Sequence, residues 1–187
     1  MTLRASTCWA LALALAATAA GAGLTGQSLS DLPRADTVVK PLAYVSLQPV
    51  PAGRAFEIAV VAGIQRGFHI NANKVLEDYL IPTTVKAEVP AGFRIVETIY
   101  PAGQRQKFEF SETEMAVYDG SITILLKLQA ERTAPLGDMK IPMTLRYQAC
   151  NDVACLPPVN KPVTAEFKVA PAGTRATPVH TEIFKKK

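Results

Sequence analysis

Two histidines and three cysteines are all that this 187-residue chain offers for nitrogen or sulfur ligation of a metal or for thiol chemistry, and no second cysteine or histidine pair accompanies Cys150 and Cys155. A zinc site is therefore the weakest reading of that pair. The sequence also lacks a glycine-rich phosphate loop, a nucleophile elbow and a metalloprotease helix motif. Its interior has no basic cluster and no base-stacking motif, which argues against nucleic acid as a partner. The formal net charge is only +4, and three of the lysines behind it, Lys185 to Lys187, stand at the extreme end, where a solvated tail is expected. Past residue 22 no segment is long and apolar enough to cross a bilayer, so stable membrane insertion is not expected. No window carries a clean helical period. The tripeptide Pro-Ala-Gly recurs, but too unevenly for a solenoid. Neither a metal nor an organic cofactor is expected.

What is present begins with an export signal. Arg4 supplies a positive start, Ala10–Ala20 is an uncharged run too short for a bilayer anchor, and two Ala-x-Ala sites follow at Ala17–Ala19 and Ala20–Ala22. Residues 1–22 are read as a cleaved signal peptide, which directs the chain to export. Its removal takes Arg4 away, lowering the charge from +4 to +3, and takes Cys8 away, leaving two cysteines. An even count in an exported protein favours a disulfide. Residues 23–40 are small and polar and are expected to form a flexible lead-in. Residues 41–172 are read as the domain and 173–187 as a flexible basic tail.

The body consists of short runs rich in β-branched and aromatic residues, separated by Pro51–Ala52–Gly53, Pro90–Ala91–Gly92 and Pro101–Ala102–Gly103, with a fourth copy at Pro171–Ala172–Gly173. Strands are expected at Leu42–Gln48, Ala55–Ala62, Gly67–Asn71, Thr83–Val89, Phe93–Tyr100, Ser121–Gln129, Lys140–Gln148 and Pro162–Val169. In the last of these Val163, Ala165, Phe167 and Val169 alternate with Thr164, Glu166 and Lys168, the pattern of a strand buried on one face. Many short strands with frequent turns indicate an all-β sandwich or barrel.

Chemistry concentrates at the end of the seventh run. Ile141, Met143, Leu145, Tyr147 and Ala149 form an apolar set, so Cys150 falls with Pro142, Thr144, Arg146 and Gln148 and is expected to face solvent. Asn151–Asp152 is good turn chemistry. A hairpin there would set Cys150 and Cys155 opposite each other, within reach of a disulfide. Such a bond closes so short a loop that chain entropy assigns it only about 2 kcal/mol. It would be a poor staple, while an accessible sulfur is what thiol–disulfide exchange requires. On the residues alone, exchange and a local structural disulfide remain evenly matched.

The segment Tyr147-Gln-Ala-Cys-Asn-Asp-x-x-Cys-Leu-Pro-Pro158 and the patch Gly67–Phe68–His69–Ile70–Asn71–Ala72–Asn73, followed by Tyr79–Leu80–Ile81–Pro82–Thr83, resemble the N-terminal periplasmic domain family of the thiol:disulfide interchange protein DsbD. The resemblance spans roughly Leu42 to Val169. It implies an immunoglobulin-like β-sandwich acting as a periplasmic electron carrier. A membrane-embedded thiol–disulfide relay protein, here a separate chain, would reduce it, and periplasmic thioredoxin-like proteins would receive the electrons. Carried onto this sequence, it makes Cys155 the attacking cysteine and Cys150 the resolving one. It also implies a cap loop bearing a phenylalanine, for which Phe110 is the first candidate and Phe108 the second; a core role for either is an equal alternative. His69 reads as structural, because the sequence names no ligand or nucleophile beside it. Asn71 and Asn73 read as turn residues. Asp152 and Glu109 read as solvated carboxylates, with tuning of the thiols as the alternative. The competing function is a non-catalytic immunoglobulin-like binding module whose disulfide only shapes a loop.

Overall fold

The computed structural model describes residues 32–185; the expected signal peptide and most of the expected lead-in lie outside them. In chain order the strands are β1 (Val39–Val45), β2 (Leu47–Gln48), β3 (Val50–Pro51), β4 (Ala55–Ile64), β5 (His69–Asn71), β6 (Thr84–Ala87), β7 (Phe93–Ile99), β8 (Gln104–Gln106), β9 (Met115–Tyr118), β10 (Ser121–Ala130), β11 (Gly137–Tyr147), β12 (Ala149–Cys150), β13 (Val159–Ala170) and β14 (Thr177–Pro178). One four-stranded sheet runs β1-β4-β10-β7 and a second β3-β13-β11-β6. Phe56 of β4 and Phe93 of β7 meet Phe167 of β13 at ring-centroid distances of 5.2 and 5.8 Å, so the two sheets face each other across a shared core. The chain is an all-β, immunoglobulin-like sandwich.

Alternation makes this core. Ile122, Ile124, Leu126, Leu128 and Ala130 are buried along β10, and Ile141, Met143, Leu145 and Tyr147 along β11. Each strand offers one apolar face, and facing two such surfaces removes both from water. Tyr147 is buried to its hydroxyl, which donates to the Ala35 carbonyl at 2.8 Å. Val38 and Val39 are buried too. The packed structure therefore begins before residue 41, inside the stretch expected to be flexible.

The Pro-Ala-Gly signal is decoded three times in the same way. Arg54, Phe93 and Thr174 each donate their N–H to the proline carbonyl three residues back, with the glycine at φ 80, 86 and 83°. A positive φ at the third position is the geometry of a type II turn, and glycine adopts it without steric cost. The copy at residues 101–103 forms no such turn. The Pro101 carbonyl instead accepts the Tyr118 hydroxyl at 2.8 Å, and a side chain on Gly103 would come within 2.6 Å of the Ala72 Cβ. This glycine serves close approach rather than chain reversal.

The end of the chain departs from the expected tail. β14 pairs with β2, the Val179 N–H donates to the Ser46 carbonyl at 3.0 Å, and His180 meets Tyr44 edge-on at 5.0 Å. A short helix, α1 (Thr181–Phe184), follows. Thr177–Pro178 carries no strand pattern of its own; it is a strand only because the edge of β2 is there to pair with.

A third four-stranded sheet, β12-β5-β9-β8, carries the candidate site. Every residue of β5, β9 and β12 is buried. β9 and β12 are covered on both faces and so have no alternation to detect, while β8 is three polar, largely exposed residues with no apolar face; none of the three shows a strand pattern in the sequence.

Candidate functional site

β11 stops at Tyr147, and Gln148 is the step by which the chain leaves the sandwich sheet to pair with β5. That step overturns the expected exposure of Cys150. Alternation holds as far as Ala149, but beyond the break the parity of β11 no longer applies, and Cys150 is 0% exposed. Cys155 is exposed.

The hairpin between them closes as its residues require. The Asn151 carboxamide oxygen accepts the N–H groups of Val153 and Ala154 at 2.9 and 2.8 Å, and the Asn151 N–H donates to the Ala154 carbonyl. This is an Asx turn, the local alternative to a ladder that asparagine favours. Outside the cysteines the Leu156 N–H donates to the Ala149 carbonyl at 2.8 Å. Cys150 and Cys155 thus face each other between two hydrogen-bonded rungs, where antiparallel strands approach most closely. Their Cα atoms are 4.0 Å apart and their sulfurs are bonded. The hairpin and its disulfide are as the spacing suggested.

Register explains what surrounds the bond. Cys150 pairs with His69, and Asn71, two residues on, pairs with Val117 of β9. Opposed residues in a sheet share a face, so Cys150, His69, Asn71, Val117 and Met115 all point the same way. Leu80, Val75 and Phe108 pack on Met115 and Val117. Phe108 lies flat on the His69 ring, with centroids 4.1 Å apart and planes within 15°. Phe110 stacks on Phe108 at 5.3 Å and is 42% exposed. The two phenylalanines therefore form a pile, Phe108 inside and Phe110 outside, over the face that carries Cys150.

Asn71 and Asn73 are not turn residues. The Asn71 side chain donates to the Ile81 carbonyl, the Asn73 side chain donates to the Thr83 carbonyl, and the Thr83 hydroxyl donates to the Asn71 carbonyl at 2.6 Å. The Asn73 N–H donates to the Tyr118 hydroxyl. Together they bind the 72–83 loop back onto β5 and β9, holding Leu80 over the site. The spacing of Asn71-x-Asn73 and Thr83 was visible in the sequence, but not that they bridge to each other.

His69 is 5% exposed, and its Nε2 has no hydrogen-bond partner. Burial holds its pKa below the ordinary 6.5, opposed by the carboxylates of Asp152 and Asp119. A cleft of ≈ 500 Å³ beside the ring is lined by Arg66, Gln106, Phe108, Asp119 and Asp152. Asp152 thus acts on His69, while Glu109 lies exposed on the segment between the two stacked phenylalanines. Among the described residues no group of three or more His, Cys, Asp or Glu is placed to hold a metal, and no helix is long and apolar enough to cross a membrane.

Three comparisons place these features among known proteins. Residues 36–166 match the family described as thiol:disulfide interchange protein DsbD, N-terminal. Similar solved structures include the Neisseria meningitidis DsbD N-terminal domain in the reduced form, at 18% identity and TM-score 0.45, covering 81% of this chain and 98% of that one. A complex between the DsbD N-terminal and PilB N-terminal domains of the same organism matches at 17% identity and TM-score 0.42, covering 74% and 87%. The N-terminal periplasmic domain of ScsB from Proteus mirabilis matches at 8% identity and TM-score 0.44, covering 67% and 45%. No curated protein sequence matches.

Proposed function

Because this chain belongs to the family of the DsbD N-terminal domain, we propose that it is a periplasmic electron carrier that takes two electrons from a membrane-embedded thiol–disulfide relay protein and hands them to thioredoxin-like proteins through Cys150 and Cys155. The observation that carries this reading is the asymmetry of the pair: one cysteine exposed, its partner sealed. An incoming thiolate attacks the sulfur it can reach. It forms a mixed disulfide with Cys155 and expels Cys150 as a thiolate. A second thiol of the reductant then displaces Cys155, and the reductant leaves oxidised. In the forward direction the Cys155 thiolate attacks the client disulfide. Cys150 then attacks Cys155, the domain's disulfide re-forms, and the client departs as a dithiol. Two electrons and two protons move in each half.

Cys155→Ser is expected to abolish exchange with a dithiol protein such as reduced thioredoxin, followed by alkylation of the thiols and mass shift. Exchange at the wild-type rate would sink the assignment of Cys155.

Phe108 and Phe110 act as the cap. The stack on His69 supports Phe108 as the inner cover and Phe110 as the part a docking protein meets first. Phe108→Ala opens the face that seals Cys150, so glutathione gains a second sulfur to attack and the rate of reduction is expected to rise about three- to tenfold, since exchange depends on access. An unchanged rate, measured in stopped flow, would remove the cap from the account.

A further inference from the structure

Opening the disulfide creates a charge where water does not reach. Cys150 is the leaving sulfur and is fully buried, and an isolated thiolate in such a place is strongly disfavoured. Directly across the β5–β12 pair, on the same face, stands His69. Its ring is buried, and among the described residues the two buried side-chain polar atoms lacking a hydrogen-bond partner, His69 Nε2 and Asn71 Oδ1, both belong to β5. Phe108 closes one face of the ring, and the cleft lined by Arg66, Asp119 and Asp152 runs beside it. That cleft gives the imidazole a route for protons that the sulfur lacks.

We propose that His69 is the proton partner of Cys150: when the disulfide opens, the imidazole takes up a proton and holds the Cys150 sulfur beside it as a thiolate. The proposal rests on the exchange reading of the two cysteines. In the disulfide form no anion of Cys150 exists. Burial then keeps the ring neutral more strongly than Asp152 and Asp119 can charge it, while Arg66 lines the same cleft. Reduction changes that balance by placing a negative charge on the paired residue.

The atoms balance. A dithiol reductant gives up two electrons and two protons and becomes a disulfide. The Cys150–Cys155 bond takes the electrons, His69 takes one proton, and the other goes to Cys155. When the Cys155 thiolate later attacks a client disulfide, the Cys150 thiolate displaces the client from Cys155. The client's two sulfurs leave with the protons given up by Cys155 and His69.

The chain has two histidines, so proton NMR of the imidazole signals resolves the question in the intact protein, with His180→Gln assigning the second signal. The His69 midpoint is expected to lie higher in the reduced than in the oxidised protein by about one pH unit or more, as an opposite charge at close range requires. The rise is expected to persist in reduced Cys155→Ser and to disappear in Cys150→Ser. His69→Phe keeps a ring against Phe108. In that variant the decay of the Cys155 mixed disulfide is expected to be slow at neutral pH and to recover only above the ordinary cysteine pKa of about 8.5, since burial raises that of Cys150. Equal midpoints in the two redox states, or a wild-type pH profile in His69→Phe, would overturn the role of His69 and leave exchange through Cys155 standing. Failure of the exchange reading itself appears separately, as a Cys155→Ser protein that exchanges normally.

Discussion

Cys150→Ser is expected to turn the protein from a carrier into a trap. The exposed Cys155 remains able to attack a partner, but nothing in the chain can then displace that partner. A thioredoxin with its own second cysteine removed, activated as a mixed disulfide with thionitrobenzoate, makes this measurable. Chromophore release reports attack by Cys155, and non-reducing electrophoresis reports the adduct. In the wild type Cys150, whose Cα lies 4.0 Å from that of Cys155, attacks intramolecularly and frees the thioredoxin. Held groups react with very large effective molarities, so the adduct of Cys150→Ser is expected to outlive the wild-type adduct by more than about a hundredfold. Chromophore release itself should be little changed. Adducts that decay equally fast, or that accumulate on Cys155→Ser instead, would reverse or remove the assigned roles.

Leu126→Ala is expected to cost about 2–5 kcal/mol, the range for emptying a leucine-sized volume in a packed core. Leu126 is 0% exposed at the middle of β10, paired with Ile58 of β4 on one side and Thr98 of β7 on the other. Neighbours held by two ladders cannot readily collapse into the space. The loss corresponds to a fall in melting temperature on the order of 10 °C. Reduction of Cys150–Cys155 is expected to matter less, about 2 kcal/mol, because the closed loop is so short. Thermal melts of oxidised, reduced and Leu126→Ala protein decide between the two views of the disulfide. If reduction destabilises the domain more than the core substitution does, the bond is a structural staple and the exchange reading loses its footing.

The sandwich was readable where strands have one wet face. Ser121–Gln129, Lys140–Gln148 and Pro162–Val169 match β10, β11 and β13 closely, since alternation records burial residue by residue. The Cys150–Cys155 hairpin was readable for a similar reason: Asn151 closes its own turn, and four intervening residues set the cysteines opposite. The pile of Phe108 and Phe110 over His69 was not. It joins β5 to the segment before β9, and nothing in the order of those residues records that they meet. Cys150 shows the limit most clearly. Its burial depends on a strand changing sheets at Gln148, and a parity argument carried through that break points the wrong way.

The sequence by itself determined the all-β class, the inner faces of β11 and β13, a chain reversal at three of the four Pro-Ala-Gly sites, and a hairpin that brings two cysteines five positions apart within bonding reach. Each of these is settled by interactions within a few residues or by a simple period. Tertiary structure alone decided which sulfur is sealed and which is offered, that a lone histidine stands beside the sealed one, and that residues 177–180 dock on β2 and β1. Those outcomes depend on which strand edges pair, a choice made by the whole fold minimising unpaired backbone and exposed apolar surface, and a local pattern has no access to it.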